Sequence, residues 1–158
     1  MDQAKADMAS GTRPAPAAGQ AILVAVDGSP CSDRAVRHAA AIARATPGAT
    51  LHLLNVQPAV DGVVSLFVPR ASIKFFHREE GDRALRSADR ICTEAGVPYE
   101  KHIGVGHAGE VIGRFARELG AGSLVSGTRG HGGVAGVLLG SVAQDILSHV
   151  DVPITFVK

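Results

Sequence analysis

The chain has no Trp, one Tyr and five Phe in 158 residues. Such a sequence offers few of the aromatic platforms on which single-stranded nucleic acid stacks. It has no basic block either, and its formal net charge is +1, which argues against a protein that coats DNA or RNA. Long apolar runs are also missing. The cleanest, Ala21 to Val26 and Val137 to Leu139, fall far short of the ~20 residues that span a bilayer. Only two cysteines are present, Cys31 and Cys92, with no CxxC pair, so a disulfide framework is excluded and a reducing cytoplasm is the expected setting. Met1 to Gln20 has no apolar segment of the signal-peptide kind and carries Asp2, Lys5, Asp7 and Arg13 among Ala, Gly and Pro. It reads as a mobile tail. The seven His show no HExxH or similar spacing, so a transition-metal site is not expected.

What is present is the composition of a globular domain, 46% apolar and 20% charged. Residues 21–158 suit a single domain with a real core. Ala21 to Val26 is short and continuously apolar, as in a strand buried on both faces of a parallel sheet, and Asp27-Gly28 closes it. Ser29 and Pro30 start a helix whose apolar stripe runs from Ala35 to Ala43. Thr50 to Val56 is a second strand, interrupted by His52 and Asn55. Residues 57–71, with Pro58, Gly62 and Pro69, read as a long connection or lid rather than a regular element. A helix is expected from a Ser72 cap, with Ile73, Phe76, Leu85, Ala88 and Ile91 on its apolar face, Gly81 as a local cost and Gly96 as its stop.

Pro98 to Gly104 is a third, more polar strand, expected at a sheet edge. A helix carrying Val111, Ile112, Phe115 and Ala116 follows, then a fourth strand over Ser123 to Ser126. A short helix with Ala143 and Ile146 precedes a last strand over Val152 to Val157. Five strands interleaved with four helices give a doubly wound α/β parallel sheet, and right-handed winding gives strand order 3-2-1-4-5. In such a sheet the ligand crevice lies beyond the carboxyl ends of the strands at the switch point, where Asp27, Val56 and Gly127 all arrive.

The segment from Leu124 to Leu147 has the grammar of strand, glycine-rich loop and helix N-terminus. Glycines let backbone N–H groups approach an anion and adopt positive φ, and the helix dipole favours negative charge. Gly127, two residues, Gly130, nine residues, then Gly140-Ser141 is a specific spacing, and with it the chain resembles the ATP-binding subgroup of the universal stress protein family. The Val26-Asp27-Gly28-Ser29 turn, Val56 and the Val152-Pro153-Ile154 entry to the last strand share that resemblance. The resemblance implies a Rossmann-like sheet of the adenine nucleotide alpha hydrolase kind. It further implies Asp27 on the ribose side, the Val56 backbone at the adenine edge and Gly127 against the sugar. Backbone N–H groups of Gly130, Gly140, Ser141 and Val142, with the Ser141 hydroxyl, would hold the phosphates. Mg²⁺ or Mn²⁺ would bridge phosphate oxygens. Arg129 and His131 lie in the loop within reach of phosphate charge, and Arg129 is counted with the binding residues. Ser126 replaces a position commonly Met in the family, which alters adenine packing.

Binding is better supported than turnover. A P-loop would place Lys before Ser141, where this chain has Gly140, and no acidic residue or Gln lies within the loop from Gly127 to Ser141 to orient water. No catalytic residue is assigned. The alternatives are a slow metal-dependent ATPase or phosphotransferase, and an interaction module with a vestigial loop. Cys31, in a helix first turn, sits where the dipole lowers a thiol pKa. A homodimer is expected through the apolar edge strand Pro153 to Val157, which must be paired or covered.

Overall fold

The computed structural model describes residues 20–60, 62–131 and 138–158, the side chains of 63–65 excepted. The expected tail up to residue 19 and the loop residues 132–137 lie outside the described residues. Gln20, expected as the last residue of the tail, is already tied to the fold, because its carbonyl accepts from Thr50 N at 3.0 Å. The elements are β1 (Ala21–Ala25), α1 (Pro30–Ala45), β2 (Thr50–Gln57), α2 (Gly62–Phe67), α3 (Arg70–Ala95), β3 (Tyr99–Val105), α4 (Ala108–Glu118), β4 (Ser123–Gly127), α5 (Ser141–His149) and β5 (Ile154–Val157). The strands form one parallel sheet in the order β3-β2-β1-β4-β5, as the sequence pattern predicts.

Alternation along the central strands divides the core into two layers. Ile22, Val24, Leu51 and Leu53 meet α1 and α3, while Leu23, Leu54 and Leu124 meet α4 and α5. Each fully buried Leu or Val contributes about 1.5–3 kcal/mol relative to exposure. The α1 face is small, with Ala35, Ala39, Ala40 and Ala43, which lets the helix lie close on the sheet. Ser29 caps α1 by accepting from Ser32 N at 3.1 Å, with Pro30 in the first turn.

Three expectations change. The 57–71 connection contains a helix, α2, so the described residues hold five helices rather than four. The next helix starts at Arg70 with Pro69 at its N-cap, and Ser72 lies within the first turn, its N–H donating to the Pro69 carbonyl. Its apolar face is not buried from the start either: Phe75 and Phe76 are exposed, as is Phe67 before them, and burial begins at His77. The reason is length. The 26 residues of α3 and the 7 of β3 correspond to about 39 Å of helix against about 23 Å of strand, so the first turns overhang the carboxyl edge of the sheet.

Polar residues in β2 and β3 are accommodated by partners. Asn55 is buried and donates to the Val26 carbonyl at 2.8 Å. Lys101, at the β3 edge, meets Asp89 of α3 at 3.0 Å, and the Tyr99 hydroxyl donates to the same carboxylate at 2.9 Å. The hydrogen bond from Lys101, then that from Tyr99, holds Asp89 below the usual carboxylate range.

Two glycines mark close approaches. A Cβ on Gly81 of α3 would lie 2.6 Å from Ile103 Cδ1, so its helix cost allows α3 to settle on β3. A Cβ on Gly113 of α4 would strike the backbone carbonyl of His149 in α5. In Gly81→Ala the helix gains about 1 kcal/mol in propensity, and overpacking costs about 1–3 kcal/mol, so a small net loss is expected. Gly113→Ala is expected to lose more, because a carbonyl cannot change rotamer as Ile103 can. Urea denaturation of the two variants checks the ranking; an unchanged midpoint for Gly113→Ala would contradict the α4–α5 packing.

Candidate functional site

The crevice exists because the central strand stops first. β1 ends at Ala25, opposite Leu54, while β2 runs on to Gln57 and β4 to Gly127. Gly28, at φ +80° and with Ala84 of α3 pressed against it, turns the chain out of the sheet. Past the end of β1 lies a cavity of about 490 Å³. All eight residues expected at the site line it: Asp27, Val56, Gly127, Arg129, Gly130, Gly140, Ser141 and Val142.

Asp27 forms one wall. Its Oδ1 accepts from Ser29 N at 2.9 Å, an Asx-type turn, and its Oδ2 faces Gly130 so closely that a Cβ there would collide with it. His131 Nε2 donates to the Asp27 carbonyl at 2.9 Å, closing the loop over the β1 end. Of the two roles expected of the loop glycines, close approach and positive φ, Gly127 and Gly130 serve by smallness. None of Gly127, Gly130 and Gly140 is among the positive-φ glycines. A Cβ on Gly127 would lie 3.0 Å from Cys31 Sγ. Gly140 has φ −71°, and an added Cβ there would make only ordinary contacts, so neither conformation nor packing demands glycine at that position.

Opposite Asp27 stands the N-terminus of α5. Its N-cap is Gly140 rather than Ser141, and no side chain caps it. Gly140 N donates to the Thr128 carbonyl at 2.8 Å, and Thr128 N to the Val157 carbonyl at 2.8 Å, so the loop ends are fixed by backbone bonds. Ser141, in the first turn, is exposed. First-turn N–H groups have no intrahelical acceptor, and with the helix dipole they favour an anion. The helix is held in place from below: Asp145 accepts from Gly109 N at 2.6 Å, and His107 Nδ1 and His149 Nδ1 lie 3.0 and 3.2 Å from its carboxylate oxygens.

The third side is β2. The Leu54 carbonyl accepts from Val26 N, whereas the Gln57 carbonyl accepts from Gly106 N beyond β3. By strand alternation the backbone of Val56 therefore points to the β1 side, past the end of β1 and into the crevice. Ala25, Leu54, Ala108 and Ile112 give this part an apolar floor. Ser126 is buried beside it, with its hydroxyl donating to the Gly127 carbonyl at 3.2 Å, so it presents a small surface rather than a free polar group.

Sequence reading missed Asn55, Thr128 and the α4 residues Ala108 and Ile112, all of which line the cavity. Asn55 carried a signal, as a polar residue inside an apolar run. The α4 residues carried none, since an apolar stripe facing a cavity reads like one facing the core.

Cys31 lies just behind the glycine loop. Its thiol donates to the Val157 carbonyl at 3.2 Å. Burial pushes its pKa up, but hydrogen bonds from the Arg129 backbone and from Thr128, with the Arg34 charge, more than offset this and hold it below the usual thiol value. Cys92 is the opposite case: burial, with the Asp89 charge adding to it, pushes its thiol up to about 11.

Residues 19–158 match the model of the universal stress protein family. A universal stress protein of Methanocaldococcus jannaschii is 30% identical over 143 residues, covering 87% of this chain and 81% of that protein. Among solved structures, a universal stress protein in complex with cAMP superposes with a TM-score of 0.68 at 29% identity, covering 90% of this chain and 99% of the other. One from Archaeoglobus fulgidus in complex with dAMP gives 0.67 at 26% identity, covering 90% and 100%.

The two thiols should differ in reactivity. With iodoacetamide at mildly alkaline pH the native protein is expected to be alkylated first at Cys31, and Cys92 only on unfolding, as read by peptide mass spectrometry. Equal labelling, or Cys92 first, would contradict the loop hydrogen bonds to Cys31.

Proposed function

We propose that this chain, which belongs to the universal stress protein family, binds ATP in the crevice beyond β1 and acts as a nucleotide-responsive regulator of stress adaptation. The observation that carries the reading is the convergence on one cavity of a carboxylate, a strand backbone and an uncapped helix N-terminus. Asp27 Oδ2 receives ribose hydroxyls, the Val56 backbone reads the adenine edge over the apolar floor, and Gly127 lies against the sugar. Gly130, Gly140, Ser141 and Val142 hold the phosphates, with Arg129 balancing their charge. The cavity falls within the ~300–1,000 Å³ usual for small-molecule sites, and relatives in complex with cAMP and dAMP support the adenine class.

Mg²⁺ or Mn²⁺ accompanies the phosphates. Asp27 is the sole carboxylate among the described lining residues, and it faces Gly130. This fits a cation held by phosphate oxygens and water rather than by a protein cage. The described lining residues include no lysine, so holding the nucleotide is favoured over hydrolysing it.

The regulatory output passes through a dimer or partner surface. β5 is an edge strand, paired on one side to β4, with Phe156 and Val157 only partly buried. A homodimer through β5 covers it, and light scattering reads the mass. The reading places the protein in the cytoplasm, a reducing setting that suits its two free cysteines.

ATP with Mg²⁺ at ~100 times its Kd stabilises a protein by about 2.7 kcal/mol, so a clear rise in melting temperature is expected. Gly130→Val should abolish the rise. Ser141→Ala removes one charge-assisted hydrogen bond, about 1.5–3 kcal/mol, and should weaken ATP by roughly tenfold or more while leaving adenosine unaffected. No thermal shift in the wild type at millimolar ATP would overturn the proposal.

A further inference from the structure

Nearer the amino ends of the strands, on the face that carries α4, the β2–β3 register sets His52 opposite Glu100 and Leu54 opposite His102. Alternation then brings His52, Glu100 and His102 to one face. His52 Nδ1 lies 3.0 Å from His102 Nε2 and 3.8 Å from Glu100 Oε2. One ligand atom from each of the three residues falls within 4.8 Å of the other two. We propose that His52, Glu100 and His102 form a binding site for a divalent transition cation of the zinc class.

The geometry suits such an ion. Bonds of ~2.0–2.1 Å in a tetrahedral site separate neighbouring ligand atoms by ~3.3 Å, between the two spacings found here. Two imidazole nitrogens and one carboxylate are borderline ligands that favour Zn²⁺ over Ca²⁺ or Mg²⁺, which take oxygen. The site is built on strands rather than loops. His52 is buried, and its ring stacks with His102 at 5.2 Å between centroids, while Phe115 of α4 lies 5.6 Å from the far ring. Glu100, its side chain 43% exposed, sits at the rim and leaves a fourth position open to water. None of the three residues lines the crevice beyond β1. His52 is four residues upstream of Val56, about 13 Å along the strand. A cation here clips the edge strand β3 to β2.

The absence of a linear motif does not bear on this cluster, because its residues meet across strands. The test uses the full chain, stripped with EDTA, dialysed and kept free of nucleotide, so its outcome is independent of the proposed function. Calorimetric titration with Zn²⁺ should show one equivalent bound, and Co²⁺ should give a visible absorption band of a low-coordinate site that Zn²⁺ displaces. Glu100→Gln and His102→Ala should each weaken Zn²⁺ by at least the ~10–100-fold that loss of an outer hydrogen-bond partner costs in known metal sites. His107→Ala, in the separate cluster around Asp145, should leave the affinity unchanged. Circular dichroism confirms that the variants fold, and Glu100→Gln, at the rim, is the least disruptive of them. Lack of stoichiometric uptake, or uptake undiminished in folded Glu100→Gln and His102→Ala, would overturn the proposal.

Discussion

The crevice depends on a mismatch in strand length. β1 is central and ends at Ala25, and its two neighbours continue past it, so their backbones and the loop after β4 enclose a space that no side chain of β1 fills. The mismatch is held by a few local contacts. Gly28 turns at positive φ against α3, Asp27 caps Ser29 N, and Asn55 donates to the Val26 carbonyl from across the gap. The residues that end the strand therefore also present a carboxylate to the space they create.

The other wall depends on α5, whose exposed N-terminus gives the crevice an electropositive end. Nine residues are a short helix, and tertiary contacts rather than propensity must hold it. Gly113 lets α4 approach the His149 carbonyl, and Asp145 reaches the amino end of α4 to accept from Gly109 N. A change in α5 position is thereby coupled to α4, and α4 in turn supplies Ala108 and Ile112 to the crevice floor and Phe115 to the His52–His102 pair. The sheet thus places chemistry in two places: an anion-favouring crevice at the carboxyl ends, and a cation-favouring imidazole–carboxylate cluster further back on β2 and β3.

Much of this was legible in the sequence because it is local. Apolar runs closed by turn residues marked the strands, winding rules set their order, and the Gly127, Gly130, Gly140-Ser141 spacing marked the loop. What was not legible depends on distance. The His52, Glu100 and His102 cluster requires knowing that β2 pairs with β3 in one register. Caps favour serine, yet Gly140 rather than Ser141 takes the N-cap of α5, and no side chain closes the helix end. The start of α3 was misplaced because Ser72 is a better cap than Pro69 by propensity alone. Its first apolar residues seemed destined for the core, whereas the helix is longer than the strand it covers. Of the two roles the sequence suggests for the loop glycines, positive φ is absent at Gly127, Gly130 and Gly140, and close packing against Cys31 and Asp27 explains Gly127 and Gly130.

The central claim is that the crevice beyond β1 holds an adenine nucleotide between Asp27 and the N-terminus of α5. Native mass spectrometry of protein purified without added nucleotide tests it most directly, since it weighs the folded assembly with whatever it carries. The account predicts a mass above that of the bare polypeptide by one adenine nucleotide per chain, released on denaturation and absent from Asp27→Ala. A bare polypeptide mass that stays unchanged after incubation with millimolar ATP and Mg²⁺ would contradict it.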